Sequence, residues 1–268
     1  MTMSNANMDD PASSPDAVRA VGRTVAQETK FGASFLRVHG WRLLLVFAGV
    51  LLPLWGFGAM IDTLRDGEVF AFDLPLLVSV HAMASSGLDR LFVLMTQLGY
   101  AWGVVPADVV LVLVLTLRRH RREGIFAAVS IFGSLLLNLA AKHSFARVRP
   151  DLWVSIRPET TFSFPSGHAM GSMTLAMVLV LLCWSVRTPW GWRWRWPVSI
   201  LATAFVLLVG LSRIYLGVHY PSDILAGWTA ALAWVVGVYG LVFYGTLKPW
   251  QAKQVGTNPV IPPVSPPR

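Results

Sequence analysis

The sequence predicts an all-α protein, an integral membrane bundle of six transmembrane helices. Two observations carry this reading. Only 13% of the 268 residues are charged while 54% are hydrophobic, with a mean hydropathy of +0.57, whereas a soluble domain has about 25% charged residues. The apolar residues also gather into six stretches close to the roughly 20 residues that cross about 30 Å of hydrocarbon.

Taken in order, residues 1–38 are polar and rich in Ser, Asn, Asp and Ala. They lack the short apolar core of a cleavable signal and are predicted to be a disordered cytoplasmic tail. The first span, 43–61, is free of charge and is expected to be retained. Residues 62–97 mix apolar side chains with Asp73, Pro75, His81 and Asp89, which suits a helix lying in the outer interface. The second span is placed at 98–117, carrying Asp108 and Pro106. Stretches 124–141, 169–186, 196–212 and 224–247 contain no Asp, Glu, Lys or Arg and supply the other four. A membrane domain over 39–248 is then followed by a Pro-rich cytoplasmic tail, 249–268. Cys183 is the only cysteine, so no intramolecular disulfide forms.

Charge distribution orients the bundle. Of the 22 Lys and Arg residues, all but Arg65, Arg90, Lys142, Arg147, Arg149, Arg157 and Arg213 fall on one face if the N-terminus is cytoplasmic. The positive-inside bias therefore puts both termini in the cytoplasm of a multi-pass cell-membrane protein. A net charge of +8 and a pI near 10.2 would ordinarily suggest a nucleic-acid partner. The apolar excess argues against one and names the bilayer as partner. Trp190, Trp192, Trp194 and Trp196, alternating with Arg193 and Arg195, read as an interfacial aromatic belt.

With so few charges, those beside the spans are informative. Lys142 closes the third span, with Arg149-Pro150 shortly after; Pro165-Ser166-Gly167-His168 opens the fourth; Ser212-Arg213 closes the fifth; His219 and Asp223 lead into the sixth. All lie at the outer face. Two helices begin there, and their N-terminal amides and dipoles suit an anion. Ser166 and Ser222 are candidate N-caps, and Gly167 permits close backbone approach. Lys142, Arg149 and Arg213 supply three cations for a phosphate. His219 is a candidate nucleophile, with Asp223 four residues later placed to fix its tautomer. His168 is a candidate proton donor to the leaving oxygen.

Single residues have plainer readings. Lys142 or Arg213 alone would be a snorkelling residue at a span end, and His219 alone a packed polar residue. The complete, ordered set outweighs these. Asp108 and Asn138 read as buried hydrogen-bonding residues facing a neighbouring helix, and His143 as a loop residue.

The three motifs, Lys142-x6-Arg149-Pro150, Pro165-Ser166-Gly167-His168 and Ser212-Arg213-x5-His219-x3-Asp223, match those of the type 2 phosphatidic acid phosphatase superfamily, which the chain resembles, in its membrane lipid phosphate phosphatase branch. The resemblance implies His219 as nucleophile, Asp223 as its partner and His168 as general acid. It further implies phosphate binding by Lys142, Arg149, Ser166, Gly167 and Arg213, no metal and no cofactor. The implied activity is hydrolysis of the terminal phosphate of a lipid phosphomonoester or polyprenyl diphosphate, through a phosphohistidine intermediate, at the periplasmic or extracellular side. A phosphotransferase using the same intermediate, a vanadium haloperoxidase and a lipid flippase are the competing expectations.

Overall fold

The computed structural model describes Gly40, Leu44 and residues 46–185 and 189–244. Both predicted tails, 1–38 and 249–268, lie outside the described residues. Among those residues there are helices and no strand. Helix α1, Phe47–Arg65, opens with a π-helical turn over Phe47–Leu51 and continues through Leu52–Arg65. Two short helices follow, α2 (Asp73–His81) and α3 (Ser86–Leu98), then α4 (Val104–Leu117), α5 (Arg121–Phe145), α6 (Gly167–Ser185), α7 (Pro189–Tyr215) and α8 (Pro221–Tyr244).

Among the described residues, five helices are long and apolar enough to cross a membrane: α1, α5, α6, the Trp192–Tyr215 part of α7, and α8. The sixth apolar helix, α4, is shorter, at 14 residues, and so spans only ~21 Å. It begins at Val104, six residues later than expected, because Pro106 fits only in the first turn, where no intrahelical N–H is needed. Residues 62–97 form the end of α1 and two helices where one interfacial helix was expected. Helix α5 runs on to Phe145, which makes His143 a last-turn helical residue with its ring against Phe162.

Helix α6 packs against α5, α7 and α8, and α8 also packs against α1. Away from the site, Phe126, Val178, Val235 and Tyr239 form the core between α5, α6 and α8. Polar pairs cross it: Ser134 Oγ lies 2.8 Å from Thr174 Oγ1, and Trp234 Nε1 donates to the Ser130 carbonyl at 3.0 Å. Such pairs suit a bundle whose surroundings offer no water. The outward faces are apolar, with Trp55 72% and Leu241 69% exposed. Water would penalise that surface and lipid would not. The protein is a multi-pass membrane protein.

Candidate active site

Local sequence builds the site at one end of the bundle. Helix α7 ends in a Schellman turn, with Gly217 at φ +69°, its N–H bonded to the Ile214 carbonyl and the Val218 N–H to the Arg213 carbonyl. A side chain cannot replace the Gly217 hydrogen, because the Trp153 indole lies 2.6 Å from where a Cβ would stand. The turn brings His219 back under Arg213. Helix α8 then starts with Pro221 at its first position. Two residues on, Asp223 Oδ2 reaches back to accept the Tyr220 N–H at 2.9 Å, half of a capping box.

On α6, Ser166 caps the helix, its Oγ accepting from the Ala169 N–H at 3.4 Å, as the sequence suggests. Ser166 also donates its own N–H to the Asp223 carbonyl at 3.1 Å, linking the starts of α6 and α8. Ser222 does not cap α8. Pro221 takes the first helical position, which moves the cap to Tyr220 and frees the Ser222 hydroxyl for Asp73, 2.6 Å away.

All the expected site residues converge. Arg149 Nη1 lies 3.0 Å from His219 Nε2. A guanidinium only donates, so Nε2 is the acceptor and Nδ1 carries the proton. Nδ1 faces Asp223 Oδ2 at 3.4 Å, and Ser163 Oγ sits at the same 3.4 Å from Nδ1 while donating to Asp223 Oδ2. Burial, then the charges of Arg149 and Arg213, push the His219 pKa well below its ordinary 6.5. The imidazole is neutral, with its Nε2 lone pair turned to the cations.

Those cations hold a carboxylate that the motifs do not contain. Glu159 Oε2 accepts from Arg149 Nη2 at 2.8 Å, and its Oε1 pairs with Arg213 Nη2 and lies 3.8 Å from His168 Nδ1. Burial opposes ionisation of Glu159, but the Arg213 and Arg149 guanidiniums beside it outweigh it and hold its pKa at about 2. Arg213, 1% exposed, also donates to Thr96 Oγ1 of α3. Lys142 donates to the Phe162 carbonyl.

Lys142, Glu159, Gly167, His168 and His219 line one end of a cavity of about 720 Å³. Val105 and Val109 of α4 and Ile131, Leu135 and Leu139 of α5 add apolar side chains to its lining, beside the polar Ser134. Asn138 donates to the Pro165 carbonyl, just before α6, at 3.2 Å, and its Nδ2 lies 3.7 Å from Met170 Sδ of α6. Asp108 departs from expectation: it lines the cavity, and its Oδ1 has no hydrogen-bond partner among the described residues.

Residues 123–247 match the PAP2 superfamily profile. An undecaprenyl-diphosphatase of Sulfolobus acidocaldarius is 30% identical over 199 residues, which cover 72% of this chain and 85% of that protein. The chain belongs to the PAP2 superfamily. A phosphatidylglycerophosphatase B of Bacillus subtilis is 31% identical over 181 residues, covering 62% and 88% of the two chains. Among solved structures, a transmembrane PAP2-type phosphatidylglycerolphosphate phosphatase from Bacillus subtilis superposes with a TM-score of 0.63 at 26% identity, over 70% of this chain and 94% of that one.

Within this PAP2 chain, the residues that the motif reading missed are Glu159, Thr96, Ser163, Arg147 and Asp73. Arg147 Nη1 donates to Asp223 Oδ1 at 2.5 Å and to Ser222 Oγ at 2.8 Å, and Nη2 donates to Asp73 Oδ2 at 2.9 Å. Its position two residues before Arg149 was the available signal. Nothing in the sequence pairs Asp73 with Ser222, 149 residues away.

Proposed function

We propose that the protein is a lipid phosphatase that removes the terminal phosphate of a lipid phosphomonoester or polyprenyl diphosphate through a phosphohistidine intermediate. Phosphatidic acid, phosphatidylglycerophosphate and undecaprenyl diphosphate are the substrate types. The observation that carries the reading is His219: its Nε2 lone pair faces Arg149 while its Nδ1 faces Asp223, at the polar end of a cavity also lined by apolar side chains. Phosphate binds to Lys142, Arg149 and Arg213 and to the backbone at Ser166 and Gly167, in the place of the Glu159 carboxylate. His219 Nε2 attacks phosphorus, the bond from phosphorus to the lipid oxygen breaks, and His168 gives that oxygen a proton. Water then cleaves the phosphohistidine and releases inorganic phosphate. The apolar side chains of the cavity hold the first part of the lipid chain.

In this reading α4 is the sixth crossing, its shortness met by local bilayer thinning. Both termini, with tails 1–38 and 249–268, face the cytoplasm of the inner or plasma membrane, and the site opens to the periplasmic or extracellular side. Phosphate release by the purified protein from those three lipids in detergent micelles tests the function. The parent is expected to be active with or without EDTA, and His219→Ala inactive. A His219→Ala protein as fast as the parent overturns the mechanism.

A further inference from the structure

We infer that Arg147 and Asp73, which lie outside the three motifs, form a clamp that positions Asp223, and through it His219, for the proposed phosphatase reaction. Asp223 is fully buried, with a side-chain exposure of 0%. A carboxylate there needs a compensating charge and a full set of donors. Arg147 supplies both by dividing its fork, Nη1 to Asp223 Oδ1 and Nη2 to Asp73 Oδ2. With Oδ1 so engaged, the carboxylate cannot rotate, and Oδ2 is left for the Tyr220 N–H, the Ser163 hydroxyl and the His219 Nδ1–H.

Asp73 keeps the fork in place. Its carboxylate is also fully buried and accepts three bonds: from Arg147 Nη2 at 2.9 Å, the Ser222 N–H at 2.8 Å and the Ser222 hydroxyl at 2.6 Å. The guanidinium is stacked 4.1 Å from the centre of the Tyr220 ring, which further limits its freedom. The start of α2, the segment after α5 and the first turn of α8 are therefore tied at one guanidinium. Two carboxylates share it on the side of the ring away from Arg149. Asp223 Oδ2, which faces Nδ1, favours the Nδ1–H tautomer and the positive charge that the ring gains when Nε2 bonds to phosphorus. Arg147 touches none of the phosphate-binding cations by hydrogen bond, so its effect falls on the chemical step and not on substrate binding.

The inference rests on the proposed function, and its test keeps the two apart. Phosphate release from phosphatidic acid, phosphatidylglycerophosphate and undecaprenyl diphosphate in detergent micelles is measured for the full-length parent, Arg147→Ala, Arg147→Lys and Asp73→Asn, with inhibition by orthovanadate as a separate reading of the phosphate pocket. Losing the partner that orients a catalytic group costs on the order of 10–100-fold. Arg147→Ala and Asp73→Asn are expected to lower kcat by about that factor. KM and the orthovanadate inhibition constant are expected to stay within about threefold, the signature of an interaction made only in the transition state. Arg147→Lys, which keeps the charge without the fork, is expected to lie between Ala and the parent, and added guanidinium to restore part of the Arg147→Ala rate. Should Arg147→Ala fail to fold, the near-isosteric Asp73→Asn carries the test. An active parent with unchanged kcat in the Asn and Ala variants overturns the clamp. So does a loss of kcat matched by an equal weakening of orthovanadate. An inactive parent overturns the phosphatase reading and the clamp with it.

Discussion

Replacing Glu159 by glutamine is expected to tighten the binding of a phosphate-like anion. The carboxylate occupies Arg149 Nη2 and Arg213 Nη2, two donors that the proposed function gives to the substrate phosphate. Phosphate can take them only if Glu159 gives them up. The pKa of Glu159, held at about 2 against an ordinary 4.5, measures how strongly the pocket favours its ionised form, and corresponds to about 3 kcal/mol. The side chain is 27% exposed, so solvent screening reduces the effective figure to about 1–2 kcal/mol. Every 1.4 kcal/mol is roughly a tenfold change in affinity, so Glu159→Gln should bind orthovanadate about tenfold more tightly. Orthovanadate inhibition of phosphate release at pH 7, compared between parent and variant, reads this directly. An inhibition constant equal to or weaker than the parent's would refute the idea that the carboxylate competes with the anion.

Two further expectations follow from the same geometry. His219 must be neutral to attack, and its pKa lies well below 6.5; the acid limb of kcat/KM should therefore fall well below pH 6.5, and activity should not decline between pH 8 and 6.5. By linkage, the unfolded histidine takes up a proton as pH falls through about 6.5 while the folded one does not, so this group's stabilising contribution is complete above that pH and shrinks below it. An acid limb at or above pH 6.5 would contradict the neutral nucleophile. Gly227→Ala would put a methyl group 2.9 Å from the Ser166 carbonyl and 3.1 Å from the Met170 N–H, both backbone atoms. Overpacking of that kind costs about 1–3 kcal/mol, so Tm in detergent should fall, and phosphate release should fall with it because α6 carries Ser166 and His168 away from α8.

The motif residues were legible because each is tied to a helix end. A basic residue in the last turn, a small capping residue, and a His and Asp four apart at a helix start are local patterns, and local hydrogen bonds such as Ser166 Oγ with the Ala169 N–H enforce them. The six apolar stretches were legible for the same reason, since composition over about 20 residues is itself a local property. The residues that spacing missed are those whose role exists only after folding. Asp73 meets Ser222 across the bundle, Thr96 meets Arg213 from α3, and Glu159 enters the pocket from a segment between two motifs with no periodicity of its own. Ser222 shows how narrowly a local rule can fail. Its type and position fit a cap, but Pro221 fixed the helix start two residues earlier and the hydroxyl was taken by a distant carboxylate.

The basic residues of the site act on two groups at once. Lys142, Arg149 and Arg213 lower the proton affinity of His219, with burial as the larger cause, and in the proposed reaction the same three hold the phosphate that His219 attacks. A pocket positive enough to bind a dianion is therefore also one in which the imidazole stays unprotonated. Arriving phosphate partly cancels that field at the moment Nε2 begins to carry positive charge, so the substrate removes an obstacle to its own attack. Glu159 supplies a smaller form of this cancellation before substrate arrives, one negative charge set against three positive ones. It keeps the empty pocket from holding three uncompensated cations. On the other side of the ring, Asp223 Oδ2 faces Nδ1, and in the proposed clamp Arg147 keeps that carboxylate from turning towards Lys142, Arg149 and Arg213. Opposite charges on the two faces of one imidazole thus separate binding from orientation. Substitutions on the Nε2 face should change KM, and those on the Nδ1 face should change kcat.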